Sequence, residues 1–334
     1  MLYSEYEIQY RGFQNFRVSL RRFDIIFNTR QRCITGTPSF SSRMSYDMYV
    51  PPDVAFLASY PVRSEYQQMG FSLSAADVAE YAARPFVRAA LAHPRSPNSV
   101  LSFFLGVDLV TETEDVDSAA VRASAAADEL QSGAFLMKMS PFWFAGHEDY
   151  DKLCVNSFQS LVREAGKKEL TGDWISTVNG QVAQLILCDQ LSRNVFRGSD
   201  EAYAYDETAL DIAKFLASEV IFPEKPSSTS SRLEGIFYPT YSTFALTTLM
   251  HSEDQNDHAL GLHILDWVIA ATPPSLKEEW WNIQVGSFHE HNAVLNRFGR
   301  YPHRNAKKGR ENTKEEDDWL SNVDELPGWA KSQL

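Results

Sequence analysis

From Val100 almost to its end, the chain repeats its apolar residues at the three-and-four spacing of a helix face, and strand alternation is nowhere sustained. That pattern restricts the main body to helices packed on helices, because a sheet needs period-two runs to bury one of its faces. Punctuation divides it. Residues 46–97 carry Pro51, Pro52, Pro61, Pro85, Pro94 and Pro97, with one helical stretch over 74–92 that opens on a capping-box-like Ser74-Ala-Ala-Asp77. Residues 117–130 are alanine-rich and charged, the composition of an exposed helix. Residues 149–163 align Leu153, Phe158, Leu161 and Val162 on one face. Residues 180–196 form a strongly apolar helix, with Gly198 beyond its end. Asp206 is expected to cap a helix over 207–221, the segment 223–231 reads as a surface loop, and 240–250, 259–271 and 276–295 supply three further helices. Thr313-Lys-Glu-Glu316 is a capping box, so a last helix begins there and runs through Trp319 and Leu320.

Composition narrows the class. With 334 residues, 44% of them hydrophobic and 13% aromatic, the chain reads as an ordinary soluble protein with a substantial core, in one large domain or two small ones. A net charge of -13 argues against a nucleic-acid partner, which needs a basic face. No apolar run approaches the roughly 20 residues of a membrane span. Cys33, Cys154 and Cys188 are odd in number and widely spaced, which points to buried thiols in a reducing compartment rather than to disulfides or a zinc site. Charge is uneven, however. Residues 1–45 hold seven arginines against Glu5, Glu7 and Asp24, a local net of +4, in the pattern of a mitochondrial transit peptide or an unprocessed leader.

Three polar constellations stand out. Asp189, Arg193 and Arg197 follow one another at i, i+4 and i+8 in the apolar helix, within roughly 80° of arc, with Gln190 and Asn194 beside them. Leu185, Ile186, Leu187, Leu191, Val195 and Phe196 surround them, so these charges are expected to be buried and to need partners, either as an internal ion network or facing a ligand. The second constellation is MHSEDQNDH, in which His251, Glu253, Asp254 and His258 are acid/base candidates; no metal-ligand spacing is present, and Ser252 or Asp254 also suits a cap on the following helix. The third is FHEHN followed by RFGRYPHRNAKKGR. There His291, Arg297, Arg300, His303, Arg304, Asn305, Lys307, Lys308 and Arg310 suit a phosphate or carboxylate, or else bridge helix ends as fold glue.

Taken in this order, VLSFFLG, PFWF, Asp151, GDW, LCDQLSRNVFRG, Asp206, HSED, His291, RFGRYPHRN, Gly309-Arg310 and Thr313 with Glu315 and Glu316 closely resemble the domain of unknown function 924 family. The resemblance covers residues 98–325. Ser192, Leu191, Lys308 and Phe104 depart from the usual pattern without removing a titratable motif residue. The resemblance implies an all-α fold of antiparallel helix pairs, a tetratricopeptide-repeat-like right-handed helical array with a less ordered N-terminal extension; it brings no activity. The implied organisation is an extension over 1–97, the helical domain over 98–325 and a tail over 326–334.

Two functional readings follow. In the first, a polar centre binds a small anionic molecule: Arg193, Arg197, Arg297, Arg300, Arg304, Asn305 and Arg310 hold it, and Asp189, Glu253, Asp254, His291 and His303 are the catalytic candidates. Asp189 and Arg193 are expected to meet His291, Arg297 and His303. In the second, the protein is a helical scaffold for a protein or peptide partner and the motif residues are structural ion networks. A carboxylate/His metal site is a third possibility that the spacing does not favour. No cofactor is indicated. The expected compartment is the cytoplasm, with the mitochondrial matrix and, through the terminal Ser332-Gln333-Leu334, a peroxisome-like address as alternatives.

Overall fold

The capping residues start the helices where their chemistry predicts. Ser74 accepts from the Asp77 backbone while Asp77 accepts from that of Ser74, which opens helix α1 (Ala75–Ala83). The reciprocal Thr313–Glu316 box opens the helix at Lys314–Ser321. The computed structural model describes residues 71–111, 115–218, 233–235, 237–271, 280–323 and 326–331. Between these two boxes run α2 (Pro85–Ala92), α3 (Pro97–Leu105), α4 (Val116–Leu130), α5 (Gly133–Phe144), α6 (Glu148–Gly166), α7 (Val178–Leu185), α8 (Asp206–Leu216), α9 (Pro239–Met250), α10 (Gln255–Ala271) and α11 (Trp280–Phe298). The Lys314–Ser321 helix is α12, and a short turn at Gly328–Lys331 follows it. Among the described residues the β pairing is a single isolated bridge, Thr177 to Glu234. The fold is all-α.

The chain divides into two units, Met1–Asp47 and Met48–Leu334, and the first lies outside the described residues. So do Cys33, the leader-like segment, the 223–231 stretch and the terminal Ser-Gln-Leu. Cys154 and Cys188 are buried and unbonded, as their spacing suggested. No helix among the described residues is long and apolar enough to cross a membrane.

Packing in the second unit begins upstream of residue 98. Tyr81 and Val87, from the first two helices, are fully covered. The Tyr81 ring lies 4.4 Å from that of Phe142, and its hydroxyl donates to the Phe103 carbonyl. Phe103 in turn stacks on Tyr150 at 5.3 Å and meets Phe158 at 4.9 Å. A neighbouring group joins Phe104, Trp143 and Phe244, and the Trp143 indole donates to the Phe104 carbonyl at 2.7 Å.

Helix α7 and its continuation lie at the centre of this core, against α3, α6, α8 and α9. It gets there by a close approach. A Cβ on Gly180 would fall 2.0 Å from the Asp173 carbonyl oxygen, so only glycine lets the helix seat on the Asp173–Ser176 turn. Because Tyr81 fills the same core as Phe103 and Tyr150, Tyr81→Ala is expected to cost about 3–5 kcal/mol in urea unfolding. A loss below about 1 kcal/mol would mean that the first two helices are an appendage.

Candidate functional site

The central helix does not run straight through. After α7 it widens to a π-helical turn over Ile186–Leu191 and returns to α geometry over Ser192–Val195. Such turns are rare and recur at functional sites, because they accommodate an extra residue in the helical register. Asp189 sits in this turn, 1% exposed. Its Oδ1 lies 2.7 Å from His251 Nδ1 and 3.6 Å from an Arg193 nitrogen, and its Oδ2 accepts from Gln190 at 2.5 Å. Burial by itself raises the carboxyl pKa. The His251, Arg193 and Gln190 partners outweigh burial and hold Asp189 below the usual carboxylate range.

Asp206 is not the side-chain cap that the sequence suggested. Tyr205 occupies the cap position without a side-chain bond, and Asp206 begins α8 with its carboxylate turned to counter-ions. It accepts from Arg193 at 2.6 Å and from Arg304 at 3.4 Å, with Lys308 Nζ at 4.0 Å. Two buried guanidiniums outcompete a helix terminus for its oxygens, since Arg304 would otherwise stand desolvated without this carboxylate and Arg193 would keep only its 3.6 Å contact to Asp189. Arg193 also donates to the Ala202 carbonyl, and Arg304 to that of His251 at 2.8 Å. Both guanidiniums lie over the Tyr203 ring, at 4.5 and 5.1 Å, and Arg304 also over Tyr301.

Three histidines complete the centre. His251 and His291 have ring centres 6.2 Å apart. Trp329 stacks on His291 at 4.0 Å and meets His303 edge-on at 5.2 Å, while Tyr301 lies 5.7–5.8 Å from both rings. His291 Nδ1 donates to the Ser287 carbonyl, and His303 Nδ1 is buried without a hydrogen-bond partner. Burial, followed by neighbouring positive groups, pushes both His291 and His303 well below the ordinary imidazole value.

The structure therefore gathers Asp189, Arg193, His291, His303 and Arg304, and holds the other sequence-predicted residues in pairs of their own. Arg197 diverges from Asp189 and Arg193 because the helix ends at Val195; it bonds Asp151 at 2.6 Å, beside Asn194. Arg297, expected at the centre, pairs instead with Glu315 at 2.8 Å on the surface. Arg300 grips Glu316 through two nitrogens, and Arg310 grips Glu253 likewise. Glu253 also accepts from the Tyr301 backbone, and Asp254 accepts from the Asn256 backbone at the start of α10. Asn305 is fully buried and donates to Asn312. His251, an acid/base candidate in the HSED motif, joins this centre through Asp189, whereas Asp206 carried a signal only as a helix cap and as one of the motif residues. Trp329 had none, since it falls in what reads as a tail. Among the described residues no group of three His, Cys, Asp or Glu side chains is arranged to hold a metal ion.

Residues 133–324 match the family described as "Bacterial protein of unknown function (DUF924)". The chain belongs to the DUF924 family. A solved structure of a protein of unknown function from Agrobacterium tumefaciens is similar at 26% identity and a TM-score of 0.42, over 59% of this chain and 97% of that one. No curated protein matches it. Every residue of the polar centre from Asp189 to Arg304 falls within the DUF924 match, whereas Trp329 lies beyond it. This DUF924 protein also has a cleft of about 470 Å³ between Asn98, Asn179, Glu234, Tyr238 and Tyr241, which no sequence-predicted site residue lines.

Two measurements test the electrostatics of this DUF924 centre. Asp206→Ala strands the buried Arg304 guanidinium and leaves Arg193 only its longer contact to Asp189, and is expected to destabilise by about 3–5 kcal/mol. Arg297→Ala breaks an exposed pair and is expected to cost under about 1 kcal/mol. Equal losses in denaturant titrations would refute the placement of the centre. The pH profile has two arms. His291 and His303 are depressed from 6.5, so the unfolded chain binds their protons first and stability falls as pH drops below 6.5. Glu253 and Glu316 are held at about 2, by Arg310 and Tyr301 against burial and by Arg300 respectively. Their contribution is complete above 4.5 and lost as pH falls from 4.5 to about 2. His303→Gln should make the upper arm shallower, leaving the His291 share, and leave the lower one unchanged in melting scans from pH 8 to 3.

Proposed function

We propose that this protein binds a small anion, bearing phosphate or carboxylate, at the rim formed by His251 and Lys308 over the covered Arg304 guanidinium. The observation that carries the reading is a charge imbalance: three cations, Arg193, Arg304 and Lys308, gather on two carboxylates, Asp189 and Asp206. In a chain of net charge -13, an anionic ligand would balance that local excess. Lys308 reports the same field. Burial and the nearby Arg304 guanidinium lower its pKa against the pull of Asp206 and Glu253. Its side chain keeps 32% of its surface, so it can reach an incoming group, whereas Arg193 and Arg304 form the covered floor. Arg304 Nε and His303 Nδ1 are buried polar atoms without partners, the kind of group that a ligand satisfies.

The remaining arginines favour the second reading for themselves. Arg197, Arg297, Arg300 and Arg310 each end on a carboxylate, which is the chemistry of an internal network supporting a helical scaffold. Arg197, Arg300 and Arg310 each commit two nitrogens to one carboxylate.

Thermal unfolding with inorganic phosphate, sulfate or citrate tests the proposal. A bound anion at 100 times its Kd stabilises by about 2.7 kcal/mol. Lys308→Ala should abolish most of that gain while shifting the unliganded melting temperature little, because its ion pair is long and partly exposed. Identical melting with and without all three anions would leave the scaffold reading.

A further inference from the structure

The Asp189–His251 contact has a chemical consequence that anion binding does not use. Asp189 is ionised and buried, so as a pure acceptor it requires the proton of His251 on Nδ1. The lone pair then lies on Nε2, on the opposite edge of the ring. The imidazole is 20% exposed, whereas His291 and His303 are buried. The groups around it come from every packed segment: Asp189 and Arg193 from the central helix, His291 from α11, and His303 and Arg304 from the Pro302–Arg304 turn. A carboxylate that fixes the tautomer of an accessible imidazole is the arrangement that makes a histidine a base.

We propose that His251 is a general base and Asp189 its positioning residue, acting on an O–H group, of water or of an alcohol, presented next to an anionic substrate. In the step, the O–H bond breaks and its electron pair stays on oxygen as the nucleophile. The proton forms a bond to Nε2, and the ionised Asp189 balances the resulting imidazolium. The choice of substrate rests on the anion-binding reading; the base itself does not.

Carbethoxylation by diethylpyrocarbonate, followed histidine by histidine by peptide mass in the folded full chain at pH 8, separates the two. His93 is exposed and serves as the internal reference. A passive imidazole as covered as His251 should react several-fold more slowly than His93, in proportion to its lost surface. The proposal expects His251 to react at least as fast as His93, and to slow by about tenfold in Asp189→Asn. If the wild-type His251 lags His93, or if a folded Asp189→Asn leaves its rate unchanged, the base is overturned; the first comparison needs no variant. Inorganic phosphate, sulfate or citrate provides the second arm. A fast His251 that any of them slows supports both readings. A fast His251 indifferent to phosphate, sulfate and citrate alike overturns the anion and keeps the base. A slow one overturns the base whatever phosphate does.

Discussion

Two buried guanidiniums share one carboxylate at Asp206, and much of the second half of the molecule follows from that arrangement. Arg193 comes from the central helix and Arg304 from a turn about a hundred residues later, while Asp206 opens a third element. Neither arginine tolerates burial alone, since desolvating an unpaired charge costs several kcal/mol. The turn at Pro302–Arg304 must therefore pack against α8 and the end of the central helix. Once it does, Tyr301 and His303 are carried onto His251 and His291, and Trp329 stacks over them.

Charge is divided unequally between this centre and its surroundings. The outer arginines form closed pairs: Arg197 with Asp151, Arg300 with Glu316 and Arg310 with Glu253. Those pairs tie neighbouring segments together. At the centre the count of cations exceeds that of carboxylates. An ion network built only for stability would balance its charges here as well, since an uncompensated buried cation costs free energy. The π turn that carries Asp189 is a further departure from the regular helix at the same place.

Much of the framework was legible before any coordinates. The two capping boxes, the glycine after the central helix and the absence of period-two runs are local signals, and each is realised. The clustering of Asp189 with Arg193 was legible too, because i, i+4 geometry survives the π turn. The extrapolation to Arg197 failed where the helix ended two residues too soon. Asp206 misled for a similar reason: an aspartate before an apolar run looks like a cap, and only the arrival of two distant arginines gives its oxygens a stronger task. Tyr81 shows the same limit in the core, since its ring belongs with Phe103 and Phe142 although its segment reads as part of an extension.

The sequence by itself determined the helical class, the helix starts and the set of charged residues that had to find partners. Those are properties of hydrogen bonds and periodicity within a few residues, or of composition. Tertiary structure decided which partner each charge took. Arg297 and Arg304 sit seven residues apart in one basic segment, yet one pairs at the surface and the other is 3% exposed over Tyr203. Nothing local distinguishes them. The difference arises from packing, which brings a carboxylate and an aromatic face to one guanidinium and water to the other, and thereby sets the cost of leaving each unpaired.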